Sequence, residues 1–316
     1  MRRPRAHVCV VLKRTSFRKW VEEDKDRRVT ALLEADDEAV ARLRPSHREH
    51  LQTIDEVRTS LAELDTQVSW HDRASDFRAE PPCDLVVTVG GDGTLLAASH
   101  GIGSGIPLLG VNSAPSHSVG FFCAARKGSV REALAAALEG TLRRTELTRM
   151  RVEVAGKLAH DRVLNEALFC HASPAATSRY VLRMVAEGGE TVAHEEQKSS
   201  GIWVGPAAGS TAAIRSAGGR VMPLTSRKLQ YVVREPYLPP AESPRMTAGM
   251  FDQGEALEVK SKMRHGRLFL DGDAIMHEVA IGEAVTMRRS TQPLVVLGLT
   301  RDAAAGRTIK GAAKRR

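Results

Sequence analysis

Residues 84 to 96, DLVVTVGGDGTLL, set a short β-branched run directly ahead of a glycine loop and a second apolar run. Asp84 to Val89 has the composition of a buried strand, and Leu95 to His100 has helical character. A strand feeding a helix through such a loop opens an α/β layer. Three glycines around Asp92 permit positive φ values and remove the Cβ atoms that keep a bulky anion from backbone N–H groups. A helix beginning after the loop adds N-terminal donors and a positive dipole end. The loop therefore suits a phosphate or diphosphate, or else forms a tight turn in which Asp92 caps the helix. Under the first reading Asp92 needs a purpose, because an anion beside phosphate is repelled unless it binds a cation or takes a proton from an attacking hydroxyl. That points to phosphoryl transfer. The spacing is neither the Walker pattern nor GxGxxG.

The chain has 316 residues, 42% hydrophobic and 27% charged, which suits two globular domains. No apolar run approaches the roughly 20 residues that span a bilayer, so no membrane partner is expected. Arg2, Arg3 and Arg5 precede only the brief apolar stretch Val8 to Leu12, too short for a signal-peptide core. Cys9, Cys83, Cys123 and Cys170 are scattered without a CxxC pair, which suggests neither a zinc knuckle nor a disulfide framework and fits a reducing cytoplasm. The net charge of +8 suits a polyanionic partner. Aromatic residues at 4% disfavour a single-strand stacking platform, so nucleotides rather than nucleic acid are expected.

His7 to Leu12 reads as the first strand, and the charged segment Lys13 to Arg28 as loop or frayed helix. From Ser46, Leu51, Ile54, Val57, Leu61 and Leu64 recur at helical spacing. A strand near Gln67 to Trp70, Pro81-Pro82 and the opening strand follow. Ile106 to Val111 is a further buried strand, ahead of Asn112 and the loop SAPSHSVGFF, and Val130 to Leu138 a helix. This alternation predicts a parallel, Rossmann-like sheet with helices on its faces and ligands at its strand ends. Beyond Leu142 short β runs dominate, at Arg151 to Ala155, Val163 to Phe169, Tyr180 to Val185, Ile202 to Val204, Leu257 to Val259, Leu268 to Leu270 and Val285 to Met287. An α/β N-terminal domain (1–147) and a β-rich antiparallel C-terminal domain (148–289) are expected. A last apolar run lies within 290–302, and 303–316 is expected to be a basic, disordered tail.

Four further motifs lie downstream of the glycine loop: Gly110-Val-Asn112 after a strand, Leu164-Asn165-Glu166 inside another, GIWVGPAAGSTAAIRSAGG from Gly201 to Gly219, and Leu270-Asp271-Gly272. Taken alone, Ser210 and Thr211 suit a helix cap as well as a ligand contact. Asn165 and Glu166 suit a β-bulge, since neighbouring side chains on a regular strand point to opposite faces. Together with GGDGT, and in this order, the motifs resemble the NAD kinase family. The segment EQKSSGIWVGPAAGSTAAIRSAGGRVMPLTSRKLQYVVREP is most similar to the plant NADH kinases and their bacterial relatives. The resemblance covers about Leu85 to Leu299.

This resemblance implies phosphoryl transfer from ATP or another donor to the adenosine-side ribose 2′-hydroxyl of NAD(H), with a divalent cation, usually Mg²⁺. It makes Asp92 the catalytic proton acceptor and places Gly91, Gly93 and Thr94 in the phosphate-binding loop. Asn112, Asn165, Glu166, Thr211, Ala212, Ser216 and Asp271 become dinucleotide contacts, and no protein metal ligand is assigned. Ser200 stands where much of the family has an aspartate, and Ala213 where it has a tyrosine. Loss of a carboxylate near a charged nicotinamide favours acceptance of NADH. A homo-oligomer, dimer or tetramer, an active site between the domains and a return of the last apolar run, within 290–302, to the first domain are also implied. A lipid kinase would need a broad apolar acceptor cleft instead of GSTAA and SAGG. A non-catalytic dinucleotide-binding regulator would have little use for Asp92. His47 and His50 read as an exposed helix pair, and His117 as a loop residue or a phosphate contact.

Overall fold

A computed structural model of the chain describes residues 5–79, 83–237 and 244–299. Pro81-Pro82 and the basic tail lie outside the described residues. The fold forms two compact units. One takes the chain through Thr145 together with the strand from Leu294; the other runs from Glu146 to Pro293.

In the first unit the strands are β1 (His7–Leu12), β2 (Gln67–His71), β3 (Leu85–Gly90), β4 (Pro107–Asn112), β5 (Cys123–Arg126) and β6 (Arg144–Leu147). Its helices are α1 (Arg27–Glu34), α2 (Leu43–Glu63), α3 (Asp92–Ser99) and α4 (Val130–Leu138). The segment Lys13 to Arg28 is more ordered than its charge suggests: a π-helical turn at Arg18–Glu23 leads into α1, whose start is capped by Asp26 accepting from Arg28 and Val29 N–H. Every residue of β3 is buried, as a continuous apolar run between two covered faces requires. The helix α2 begins before Ser46 and packs through Ile54, Val57 and Leu61, but Leu51 is 47% exposed. Its seam runs instead through His50 and Thr53.

The histidine pair on α2 is therefore not the exposed pair that its HREH setting suggests. His50 is 3% exposed, and burial together with nearby cations lowers its pKa to about 4. His47 stacks on Phe17, with Nδ1 2.8 Å from the Thr15 hydroxyl, and so ties the π-helical turn to α2.

The second unit contains β7 (Met150–Val154), β8 (Lys157–Val163), β9 (Ala167–His171), β10 (Ser178–Val185), β11 (Thr191–Ser199), β12 (Ile202–Pro206), the short helix α5 (Ala213–Ser216), β13 (Leu229–Val233), β14 (Ala248–Phe251), β15 (Ala256–Ser261), β16 (Gly266–Leu270), β17 (Ile275–Val279) and β18 (Ala284–Arg289). Two antiparallel sheets result, in the orders β11-β10-β15-β18-β7-β8 and β14-β13-β12-β9-β16-β17. Their inner faces share one core, including Phe169, Tyr180, Val204, Leu257 and Leu268. The single run expected at Val163 to Phe169 is two strands, broken at Leu164-Asn165-Glu166.

The chain then returns as β19 (Leu294–Leu297), parallel to β4 in the first sheet. That sheet has the order β2-β1-β3-β4-β19-β6, with β5 paired to β4. The pairs β1–β2, β1–β3, β3–β4 and β4–β5 are parallel. Since β2 lies on one side of β1 and β3 on the other, the carboxyl ends of β1 and β3 form a topological switch point, the place where open α/β sheets bind ligands.

Candidate active site

In the first unit a cleft of about 650 Å³ opens at that switch point. Leu12, Lys13 and Arg14 line it from the end of β1, Arg73 to Asp76 from the segment after β2, and Gly91 to Thr94 with Ala97 from the glycine loop and α3. Three cations thus face a space that Leu12, the carboxylates of Asp76 and Asp92 and small residues also line. Arg14 is paired with Glu23, and Arg73 lies 3.8 Å from Asp76. Sequence reasoning missed Lys13, Arg14 and Arg73, since only strand order brings residues about sixty positions apart to one mouth. The signal was a cationic pair immediately after the first strand.

The glycines of the loop act differently from their expected role, because none of Gly90, Gly91 and Gly93 has a positive φ. Gly90 is required by packing: a Cβ there would lie 2.2 Å from the Thr94 hydroxyl oxygen. Gly91 starts α3 in an extended conformation, φ −117°, without a side-chain cap. At Gly93 a Cβ would meet nothing within 4 Å, so no protein neighbour demands glycine. Absence of a side chain there keeps the first turn of α3 open to an anion.

Asp92 does not cap its own helix. Its two carboxylate oxygens accept the backbone N–H groups of Phe122 and Phe121, each at 2.8 Å. Each oxygen retains a further lone pair, so the carboxylate is oriented but not saturated. The loop that delivers these donors is shaped by Asn112, which is 4% exposed. Its Nδ2 donates to the Ser118 carbonyl at 3.1 Å, and its Oδ1 accepts from the Ser118 hydroxyl at 2.8 Å and Ala114 N–H at 3.2 Å. Gly120, at φ 63°, packs where a Cβ would lie 2.5 Å from that amide nitrogen. Asn112 thus builds the loop around Asp92. From this loop Ser118 lines the cleft, while His117 is exposed. Cys123 feels the same carboxylate: burial first, then the charge of Asp92, push its thiol up to about 12, so it stays protonated.

In the second unit Asp271 organises the Asn165-Glu166 pair. Its Oδ2 accepts Leu164 N–H at 2.8 Å and its Oδ1 accepts Asn165 and Glu166 N–H at 2.7 and 3.0 Å. Its own N–H donates to the Glu166 carbonyl at 2.9 Å. The break in the strand is therefore a carboxylate-bound turn, which removes the regular alternation that would send neighbouring side chains to opposite faces. Asn165 Oδ1 and Glu166 Oε2 are both buried and have no hydrogen-bond partner among the described residues. Two orphaned acceptors on adjacent residues leave capacity to receive hydrogens from a ligand. Burial, and secondarily the charge of Asp271, raise the Glu166 pKa to about 7.

The GSTAA stretch packs behind Asn165. A Cβ at Gly205 or Gly209 would lie 2.2 or 1.9 Å from the Asn165 carbonyl oxygen, so both glycines serve close backbone approach. Ser210 is fully buried; its hydroxyl donates to the Ala207 carbonyl and accepts Met222 N–H. Thr211 is half-buried, whereas Ala212 and Ser216 are exposed at the start and end of α5. Ser200 lies in another cleft, of about 710 Å³, with Arg179, Lys198, Glu235 and Tyr237. Among the described residues no group of three or more His, Cys, Asp or Glu side chains is placed to hold a metal ion.

The sequence matches the model of the ATP-NAD kinase N-terminal domain over residues 8–142. It is 37% identical over 229 residues to the probable NADH kinase of Oryza sativa subsp. japonica, covering 68% of this chain and 70% of that one. With the NADH kinase of Arabidopsis thaliana it shares 35% over 222 residues, 64% of this chain and 68% of the relative. The fold superposes on yeast NADH kinase complexed with NADH with a TM-score of 0.67 at 15% identity, covering 100% of this chain and 90% of that one. For an NAD kinase from Archaeoglobus fulgidus in complex with ATP the TM-score is 0.63 at 19% identity, covering 92% of each chain.

Proposed function

The chain belongs to the NAD kinase family, and from that premise we propose that its Asp92 serves transfer of the ATP γ-phosphoryl group to the adenosine-side ribose 2′-hydroxyl of NAD or NADH. It is an NAD(H) kinase, forming NADP(H) from ATP. The observation that carries the mechanism is Asp92 held by two backbone donors beside a cleft lined by Lys13, Arg14 and Arg73.

The hydroxyl oxygen attacks the γ-phosphorus, the bond to the β–γ bridging oxygen breaks, and the proton passes to Asp92 as ADP leaves. The transition state is loose and highly charged, so alignment and cations contribute more than basicity. The three cations of the cleft, the loop Gly91-Asp92-Gly93-Thr94 and the N-terminal end of α3 suit a triphosphate. A divalent cation, Mg²⁺ by family resemblance, would be carried by the phosphates, since the described residues offer no cage for it. On the acceptor side, Asn165 Oδ1 and Glu166 Oε2 match the hydroxyl and amine hydrogens of a dinucleotide, and Thr211, Ala212 and Ser216 line its path.

NADH is the favoured acceptor in this reading. Among the described residues lining that cleft, Ser200 sits with Arg179 and Lys198 and with Glu235 as the single carboxylate, a setting that disfavours a cationic nicotinamide ring. The test is the initial rate of NADP and NADPH formation with ATP and Mg²⁺, NAD and NADH in parallel. A higher specificity constant for NADH is expected; a strong preference for NAD would contradict the assignment of Ser200.

The chain is also proposed to work in the cytoplasm as a homo-oligomer. The sheet face opposite the core carries one apolar row across all six strands, Ala248, Val232, Trp203, Leu168, Phe269 and Met276, in direct cross-strand register. Met276 is 40% exposed and Trp203, Leu168 and Phe269 are half-buried, which suits a second copy. Light scattering should give a multiple of 34.3 kDa; the monomer mass alone would contradict this.

A further inference from the structure

Asp271 lies at the end of β16 in a left-handed backbone conformation, φ 53°, followed by Gly272 at φ 113°. Non-glycine residues seldom adopt this region, so the local fold sustains a strained aspartate at this point. Three consecutive N–H groups wrap its carboxylate, and the residues they belong to present the two orphaned acceptors. We propose that Asp271 is a positioning residue and not a dinucleotide contact: its carboxylate bends Leu164, Asn165 and Glu166 out of the strand and aims Asn165 Oδ1 and Glu166 Oε2 at one ligand. This rests on the NAD(H) kinase reading.

A second observation supports the assignment. Arg149, just before β7, is fully buried; its Nε donates to the Gln292 carbonyl at 2.6 Å, and the charges of Asp161 and Asp271 act on it favourably. Burial first and then Arg162 lower the Arg149 pKa to about 9, and Asp161 and Asp271 oppose that fall, so the Asp271 charge also faces a buried cation of its own unit. Its charge also reaches Glu166. An ionised Glu166 accepts a hydroxyl hydrogen more strongly than the protonated acid does, and with the Glu166 pKa raised to about 7 that form is lost as pH falls through about 7. Desolvation is the larger cause of that rise and Asp271 the second, so removing the Asp271 charge moves the loss toward lower pH without returning it to the ordinary carboxylate range.

The test is Asp271→Asn beside the wild type and Glu166→Gln, with kcat and KM for NADH measured from pH 5.5 to 8.5 and NADH affinity measured by calorimetry at both ends. An asparagine oxygen still accepts N–H bonds, so the turn is weakened and not deleted. The expected result is a KM and Kd for NADH raised about tenfold, a smaller change in kcat, and an acid limb of kcat/KM displaced to lower pH; Glu166→Gln should abolish that limb. Unchanged KM and an unmoved limb would overturn the proposal, as would a fall confined to kcat, which would place Asp271 at the reacting atoms. Binding is read without turnover, so a wild type that binds NADH and forms no NADP(H) would refute the kinase reading and leave the positioning role to be judged by affinity alone.

Discussion

Asp92→Asn is expected to lower kcat for NADP(H) formation by about a hundredfold to ten-thousandfold, the range a positioned general base contributes. Shape is nearly conserved by this change, but the hydrogen bonding is not. Both carboxylate oxygens accept N–H groups, from Phe121 and Phe122. An asparagine presents one oxygen and one NH₂, so one of these backbone donors faces another donor, at a cost of about 1–3 kcal/mol. The variant therefore also loosens the Ser113 to Phe122 loop. Two readouts separate the effects: loss of the proton acceptor appears in kcat at saturating substrates, and loosening of the loop appears as a raised KM for ATP, because Ser118 lines the cleft. Affinity for NADH by calorimetry should change little. Near-wild-type kcat would remove Asp92 from the chemistry.

Gly209→Ala should be the most damaging single methyl group in the acceptor half. Its Cβ would sit 1.9 Å from the Asn165 carbonyl oxygen and 2.5 Å from the carbonyl carbon, both backbone atoms that no rotamer change can move. Accommodation requires the GSTAA turn to separate from the Asp271-bound turn, a strain of about 3 kcal/mol. A lowering of Tm by about 6 to 12 °C is expected for a unit of this size, with loss of NADH binding in the fraction that folds. Gly93→Ala is the matched control. There the new methyl group points into open space on α3, so Tm should hold or rise slightly, as alanine is the better helix former, while the KM for ATP increases. If Gly93→Ala leaves the KM for ATP unchanged, that glycine is not part of the phosphate loop; if Gly209→Ala retains wild-type Tm and NADH affinity, the close packing behind Asn165 is not what sets the acceptor pair.

The parts of the fold legible in the sequence are those where local pattern and tertiary burial agree. The strand from His7 to Leu12 and the helix from Val130 to Leu138 have the boundaries their periodicity predicts. The run from Thr191 to Ser199 was not legible because its first four residues, Val192 among them, are exposed and its buried positions, Gln197 and Ser199, are polar, so a strand defined by its pairing with β10 shows no apolar alternation. On α2, spacing identified a helix but misassigned its face at Leu51, since a buried His50 and Thr53 carry no hydrophobic signal.

The site divides in the same way. The motifs named Asp92, Asn165, Glu166 and Asp271, but the geometry assigns tasks that composition does not encode. Asp271 reaches Glu166 across 105 positions of sequence, and the N–H groups that hold Asp92 come from residues 29 and 30 positions later. Backbone donors have no side-chain signature, so no reading of residue types could find them. Likewise Asn112 carries a polar amide suited to a ligand, and the structure commits that amide to its own loop.

Whether a carboxylate in a glycine loop activates one particular hydroxyl is read directly from the position of the phosphate on the product. The protein should be incubated with ATP, Mg²⁺ and NADH and the product characterised by phosphorus and proton NMR. A single new phosphomonoester on the 2′-oxygen of the adenosine ribose, with one ADP released per product, is the predicted result. A phosphate on any other oxygen, or ADP release without a phosphorylated dinucleotide, would contradict the assignment of Asp92 and of the acceptor pair that Asp271 holds.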